Sequence, residues 1–210
     1  AFNNFTLNNT QGTYDNIIIS GALDVNADLT FTDGKLILST NNPTVNLAGS
    51  VSIASIGTWT KGTGAVTFDG TTATTYTDST ATPQNIGAVS ITKTHATPAN
   101  NKLTLASSMT VDTMTISLNN TLDLASSGYT LKLANAGATA TVLTVTGTLT
   151  PGTSTVQYSA THSAANVNVA ATTYNSLQIS GAETYDLGGS LTTTNAMTGN
   201  LTIDSGATLD

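Results

Sequence analysis

Apolar and hydroxyl-bearing residues alternate along this chain in short runs. Leu103 and Leu105 flank Thr104, Leu131 and Leu133 flank Lys132, and Met114, Ile116 and Leu118 flank Thr115 and Ser117. A period of two places the aliphatic side chains on one face of an extended strand and the hydroxyls on the other. The series Leu23, Val25, Ala27, Leu29 and Phe31 has the same period and predicts one strand with Asp24, Asn26 and Asp28 on its solvent face. The runs are separated by turn-forming clusters such as Ser126-Ser127-Gly128 and Asn135-Ala136-Gly137. Pro43, Pro83, Pro98 and Pro151 all fall between runs, where no ladder N–H is lost. The pattern is all-β.

The runs also recur at long range. Gly57-Thr58-Trp59-Thr60-Lys61-Gly62-Thr63-Gly64-Ala65-Val66-Thr67-Phe68 returns as Gly147-Thr148-Leu149-Thr150-Pro151-Gly152-Thr153-Ser154-Thr155-Val156-Gln157-Tyr158. Thr44-Val45-Asn46-Leu47 returns as Thr130-Leu131-Lys132-Leu133, and Lys35-Leu36-Ile37-Leu38 as Thr121-Leu122-Asp123-Leu124. Phe5-Thr6-Leu7 recurs as Val89-Ser90-Ile91 and again as Leu177-Gln178-Ile179. These offsets define a repeat of roughly 87 residues, with copies at 1–84 and 85–173 and a partial one at 174–210. Two architectures accommodate it. One is a parallel β-helix (β-solenoid) forming a single continuous array over residues 1–210, with coils of roughly 18–25 residues. The other is a tandem of immunoglobulin-like β-sandwiches, one per repeat. The solenoid is the better fit, because the inward positions are mostly medium aliphatics and no linker interrupts the pattern.

The Gly57–Phe68 segment, with the downstream Asn200-Leu201-Thr202-Ile203 motif, resembles the β-strand repeats of very large bacterial surface proteins. It is also similar in texture to autotransporter and adhesin passenger domains. The resemblance spans essentially the whole chain and implies an extracellular or cell-surface β-solenoid.

Composition narrows the function. Only 8% of residues are charged, against about 25% in an ordinary globular domain, so hydroxyl and amide groups must solvate the surface. The chain has no arginine and a net charge of −7, so it offers no basic stripe for nucleic acid. It has no cysteine for a disulfide or thiolate site, and no apolar run long enough for a membrane helix.

Candidate chemistry is sparse. Asp24-Val25-Asn26-Ala27-Asp28 resembles the start of an EF-hand calcium loop, but Leu29 and Lys35 stand where that loop needs Gly and a bidentate acid. His95 and His162 have no triad partners beside them in sequence and read as loop residues. Asp112 and Asp123 are the outward carboxylates that would have to converge for a glycosidase. Trp59, Tyr76, Tyr129, Tyr158, Tyr174 and Tyr185 could stack on sugars, but Trp59 aligns with Leu149 and Tyr158 with Phe68, which favours the core. The Thr pairs at 58/60, 144/146 and 148/150 would serve ice binding only if they formed one flat file. Sequons lie at Asn4, Asn8, Asn119 and Asn200.

No catalytic, cofactor or metal residue set emerges. The expectation is a non-enzymatic structural protein: a surface stalk, adhesin segment or filament subunit. Ala1–Phe5 starts inside a repeat and Thr208–Asp210 stops inside another. This predicts strand-edge pairing, end to end, of Phe2–Leu7 with Leu201–Leu209 of another copy or with further repeats of the same polypeptide. Surface polysaccharide is a second partner class, through a carbohydrate-binding module or glycosidase on the same scaffold.

Overall fold

The computed structural model describes residues 1–10, 12, 15–137, 139–161, 166–189 and 196–210. Its strands wind into a three-sided β-solenoid of about 8 turns with about 23 residues per turn. With strands numbered in chain order, side one stacks β1 (Phe5–Asn8), β4 (Leu29–Asp33), β7 (Val51–Ile53), β10 (Thr74–Asp78), β12 (Lys102–Leu105), β15 (Thr121–Asp123) and β18 (Thr148–Thr150). Side two begins with β2 (Asn16–Ile18), β5 (Lys35–Ile37) and β8 (Thr58–Thr60). It resumes with β13 (Met109–Val111), β16 (Thr130–Leu133), β19 (Thr155–Tyr158), β21 (Ser176–Ile179) and β23 (Leu201–Ile203). Side three stacks β3 (Leu23–Val25), β6 (Val45–Leu47), β9 (Val66–Phe68), β11 (Ala88–Ile91), β14 (Thr113–Ile116) and β17 (Leu143–Val145). A short continuation holds β20 (Val167–Val169), β22 (Thr184–Leu187) and β24 (Thr208–Leu209).

Every ladder among the described residues is parallel and nearly all are in register. Immunoglobulin-like sandwiches are antiparallel, so that alternative is excluded. Parallel register converts the alternation of the sequence into columns. On side three, Leu23, Val45, Val66, Val89, Met114 and Leu143 stack inward, while Asp24, Asn46, Thr67, Ser90, Thr115 and Thr144 stack outward. The inward columns of the three sides merge into one apolar core.

The alternation misleads at corners. Leu118 is 69% exposed, because β14 ends at Ile116 and the chain turns there, with Asn119 at φ 62 and the Asn120 N–H donating to the Ser117 carbonyl. The series from Leu23 to Phe31 is two strands rather than one, β3 and β4, with a corner at residues 26–28. There the Asp28 N–H donates to Asn4 Oδ1, the Ser50 N–H to Asp28 Oδ1 and the Thr75 N–H to Ser50 Oγ. These side chains link the corners of three successive turns to one another and to the start of β10. They also satisfy N–H groups that a bend leaves outside the ladder.

The long sequence repeat has an unexpected placement. Phe5–Leu7 lies on side one, Val89–Ile91 on side three and Leu177–Ile179 on side two. Trp59 and Leu149 likewise occupy sides two and one. Each copy thus advances eleven sides, one short of four full turns. The three sides accept the same kind of strand, and the unit that matters physically is one strand plus one corner.

Side two has no strand in the fourth turn. Gln84 bridges the gap: its Oε1 accepts the Trp59 N–H at 2.6 Å and its Nε2 donates to the Gly57 carbonyl at 2.9 Å, as a strand peptide would. Asp78 holds the loop that presents Gln84, accepting the N–H groups of Thr80 and Gln84.

Two outcomes follow for urea unfolding. Leu131 is fully buried and Lys132 points outward, so Leu131→Ala should destabilise by about 2–5 kcal/mol and Lys132→Thr by no more than about 0.5 kcal/mol. Equal effects would overturn the column assignment. Gln84→Ala leaves the edge of β8 without partners and should cost about 1–3 kcal/mol. An unchanged midpoint would show that the amide does not act as a substitute rung.

Candidate functional site

Corner length decides where this solenoid has relief. Between sides two and three, β13 passes to β14 through Asp112 alone, and Gly87 makes the corresponding corner one turn earlier. Gly87 takes φ 97, which favours glycine, and its N–H donates to Asn85 Oδ1. Longer connections flank this notch, at 38–44 and 61–65 on one side and 134–142 on the other. The result is an open groove of about 910 Å³. Its floor includes the outward Thr113, Thr115 and Thr144, and its walls include Asn42, Thr63 and Asn135.

Lys61 pairs with Asp112 at the rim, and Asn85 Nδ2 donates to the same carboxylate at 2.8 Å. The charge of Asp112 is therefore met within the protein. Asn42 Oδ1 accepts the Thr63 N–H and Asn135 Oδ1 accepts the Gly137 N–H. These bonds fix both wall amides. Asn135 is only 7% exposed, and its Nδ2 has no partner within the chain among the described residues.

The residues singled out by sequence do not converge. Asp123 sits on side one, paired with Lys102 at 3.3 Å, so Asp112 and Asp123 cannot act as a glycosidase pair. Asp24 is an outward residue of side three, and Asp28 is occupied in the corner ladder. Among the described residues, no group of three or more acids and histidines could hold a metal ion. His95 is a loop residue: its Nδ1 accepts the Thr97 N–H, and Asn101 clasps its backbone. His162 lies outside the described residues.

Trp59, Tyr76, Tyr158, Tyr174 and Tyr185 are buried and Tyr129 packs partly against the core, so they form no sugar-stacking row. The three Thr pairs lie on three different sides and form no single file. Asn8, Asn119 and Asn200 are exposed, whereas the amide oxygen of Asn4, also exposed, is engaged by Asp28. The groove escaped sequence reasoning because it arises from the stacking of corners of unequal length. The short linkage of Val111 through Asp112 to Thr113 was the one signal available.

Buried titratable groups cluster elsewhere. Tyr174 donates to the Ala170 carbonyl, so it must accept from Tyr158, which in turn accepts the Ala170 N–H. Burial pushes the Tyr158 and Tyr185 hydroxyls up to about 12, and raises Tyr174 and Tyr76 further above the ordinary range. Burial pushes the Lys93 amine down to about 8, partly opposed by the nearby Asp69, while Nζ donates to the Thr72 carbonyl.

No helix among the described residues is long and apolar enough to cross a membrane. The chain matches no protein-family model, no curated protein and no solved structure.

The shifted groups set an alkaline stability profile. Below about pH 8 Lys93 is charged in both states, and its burial is a constant penalty. From about 8 towards its ordinary 10.5, the folded chain releases this proton before the unfolded one does, so stability rises with pH. Above 10 the unfolded tyrosines ionise while the buried ones stay neutral to about 12, so stability falls. Urea midpoints should therefore peak near pH 10, and Lys93→Met should abolish the rise. A wild-type profile that is flat between neutrality and pH 10 would contradict this assignment.

Proposed function

We propose that this chain is a structural rod segment displayed outside the cell, as a surface stalk, adhesin segment or filament subunit. One observation carries the reading: every described ladder is parallel and stacks apolar residues inward on apolar residues, so a rod of this kind is built by repeating one unit. Leu201 and Ile203 are 42% and 47% exposed, whereas Leu177 and Ile179, one rung earlier in the same columns, are fully buried. A further rung of the same kind would bury them, at roughly 25 cal/mol per Å² of apolar surface, and would continue the parallel ladder. Supporting this, the outward columns carry mainly hydroxyl, amide and scattered charged groups, and the texture of the repeats resembles that of bacterial surface proteins.

The hydrogen-bonding alternation shows which backbone groups of the first and last described rungs lie outside the ladders of this chain. The Asn200 carbonyl and the Asp204 N–H bond back to side two of the preceding turn, so Leu201 and Ile203 direct their backbone groups outward. At the other end the Phe5 N–H bonds to the second turn, so Thr6 faces the open side.

Electron microscopy and sedimentation test the proposal. The expected result is concentration-dependent filaments with an axial repeat of about 38 Å, from about 8 turns at roughly 4.8 Å each. Thr6→Pro and Ile203→Pro should abolish them while leaving the rod folded. A chain that stays monomeric at millimolar concentration, or filaments that survive both substitutions, would remove end-to-end pairing between copies.

A further inference from the structure

We propose that the groove over the Gly87–Asp112 notch binds a neutral polysaccharide chain lying along the solenoid axis. The inference stands apart from the structural role proposed above, since the groove lies on the flank of the rod and uses none of the end rungs.

The chemistry of the lining selects the ligand. The floor strands β11 and β14 are paired on both edges, β11 with β9 and β14, and β14 with β11 and β17, so their backbone groups are spent in ladders, while β17 is the edge strand of that sheet. An extended peptide would need open backbone partners to add as a strand, and the floor beneath Thr113 and Thr115 provides none. What remains are side-chain hydroxyls and amides: Thr113, Thr115, Thr144, Thr63 and the Nδ2 donors of Asn42 and Asn135.

Anions are disfavoured, because Lys61 is the lysine of the lining and Asp112 already neutralises it. Apolar ligands find little more than methyl groups, since Met114 is buried beneath the floor. Cations find one carboxylate, already held by Lys61 and Asn85. A polyhydroxylated neutral chain matches every group on offer.

Spacing supports an axial path. Successive rungs lie about 4.8 Å apart, close to the length of one pyranose residue in an extended glycan. Outward Thr115 and Thr144 stand on neighbouring rungs in direct register. Asn135 supplies the most demanding contact. It is 7% exposed with Oδ1 occupied by Gly137, and its Nδ2, without a partner among the described residues, is left to meet solvent or a ligand. Among the described residues no aromatic side chain lines the groove, so affinity should be modest and selective for hydroxyl geometry.

The test uses an array of neutral and uronic-acid glycans, followed by titration of the best-bound neutral hexasaccharide into the chain. The expected result is binding that hardly changes between low and high salt. Methyl signals of Thr113, Thr115 and Thr144 should shift, and Thr113→Val with Thr115→Val should weaken affinity by about tenfold. These outward substitutions keep the β-branched shape, and Thr30→Val on side one serves as the control that should bind as the wild type does. The methyl shifts are read on the wild-type chain, so the test survives poor folding of the variant. Absence of binding by every neutral glycan, shifts confined to other sides, equal affinity in the double variant, or preference for uronates with steep salt dependence would each overturn the proposal.

Discussion

Everything in this molecule depends on the parallel, in-register ladder between successive turns. The ladder forces residues of equal position to stack, so an inward side chain meets its counterparts above and below at a fixed spacing. A column can therefore be occupied by Leu, Val, Ile, Met or Phe in succession, as in Leu23 to Leu143 or Val25, Leu47 and Phe68, without any one residue defining the fold. The same constraint makes polar intrusions conspicuous. Asp78 sits in the inward column of Phe31 and Ile53, and it is tolerated because loop N–H groups surround its carboxylate. The tyrosines of the later turns are kept by a closed set of hydrogen bonds, with Tyr158, Tyr174 and Ala170 forming one circuit.

Where the ladder bends, side chains take over its work. Asn4, Asp28 and Ser50 each accept a backbone N–H from the next turn, and Gln84 supplies both halves of a missing peptide group. Gly49 shows how close the corners come, since a Cβ there would lie 2.2 Å from the Ala27 carbonyl oxygen. Sides are thus rigid and interchangeable, while corners carry the variation. The groove exists only because two one-residue corners happen to stack between longer ones. On such a scaffold a groove on the flank need not disturb the core.

The sequence alone determined the periodic part of the structure. Strand existence, the inward identity of residues such as Leu131 and Leu133, a coil of about the observed length, and the burial of Trp59 and Tyr158 all follow from local alternation and from which residues replace one another. Alternation is a property of the backbone pleat, so it is visible without knowing what lies above or below. Tertiary structure decided the rest. Leu118 continues the pattern in sequence yet lies exposed, because a corner rather than a strand follows Ile116. The side on which each repeat falls depends on the summed lengths of all preceding corners, so a long-range repeat could not reveal its eleven-side advance. Gln84 and Trp59, Lys61 and Asp112, and the walls of the groove meet only when turns stack. Such contacts join residues some twenty to fifty positions apart, and no local pattern encodes them. Their physical cause is the register between turns.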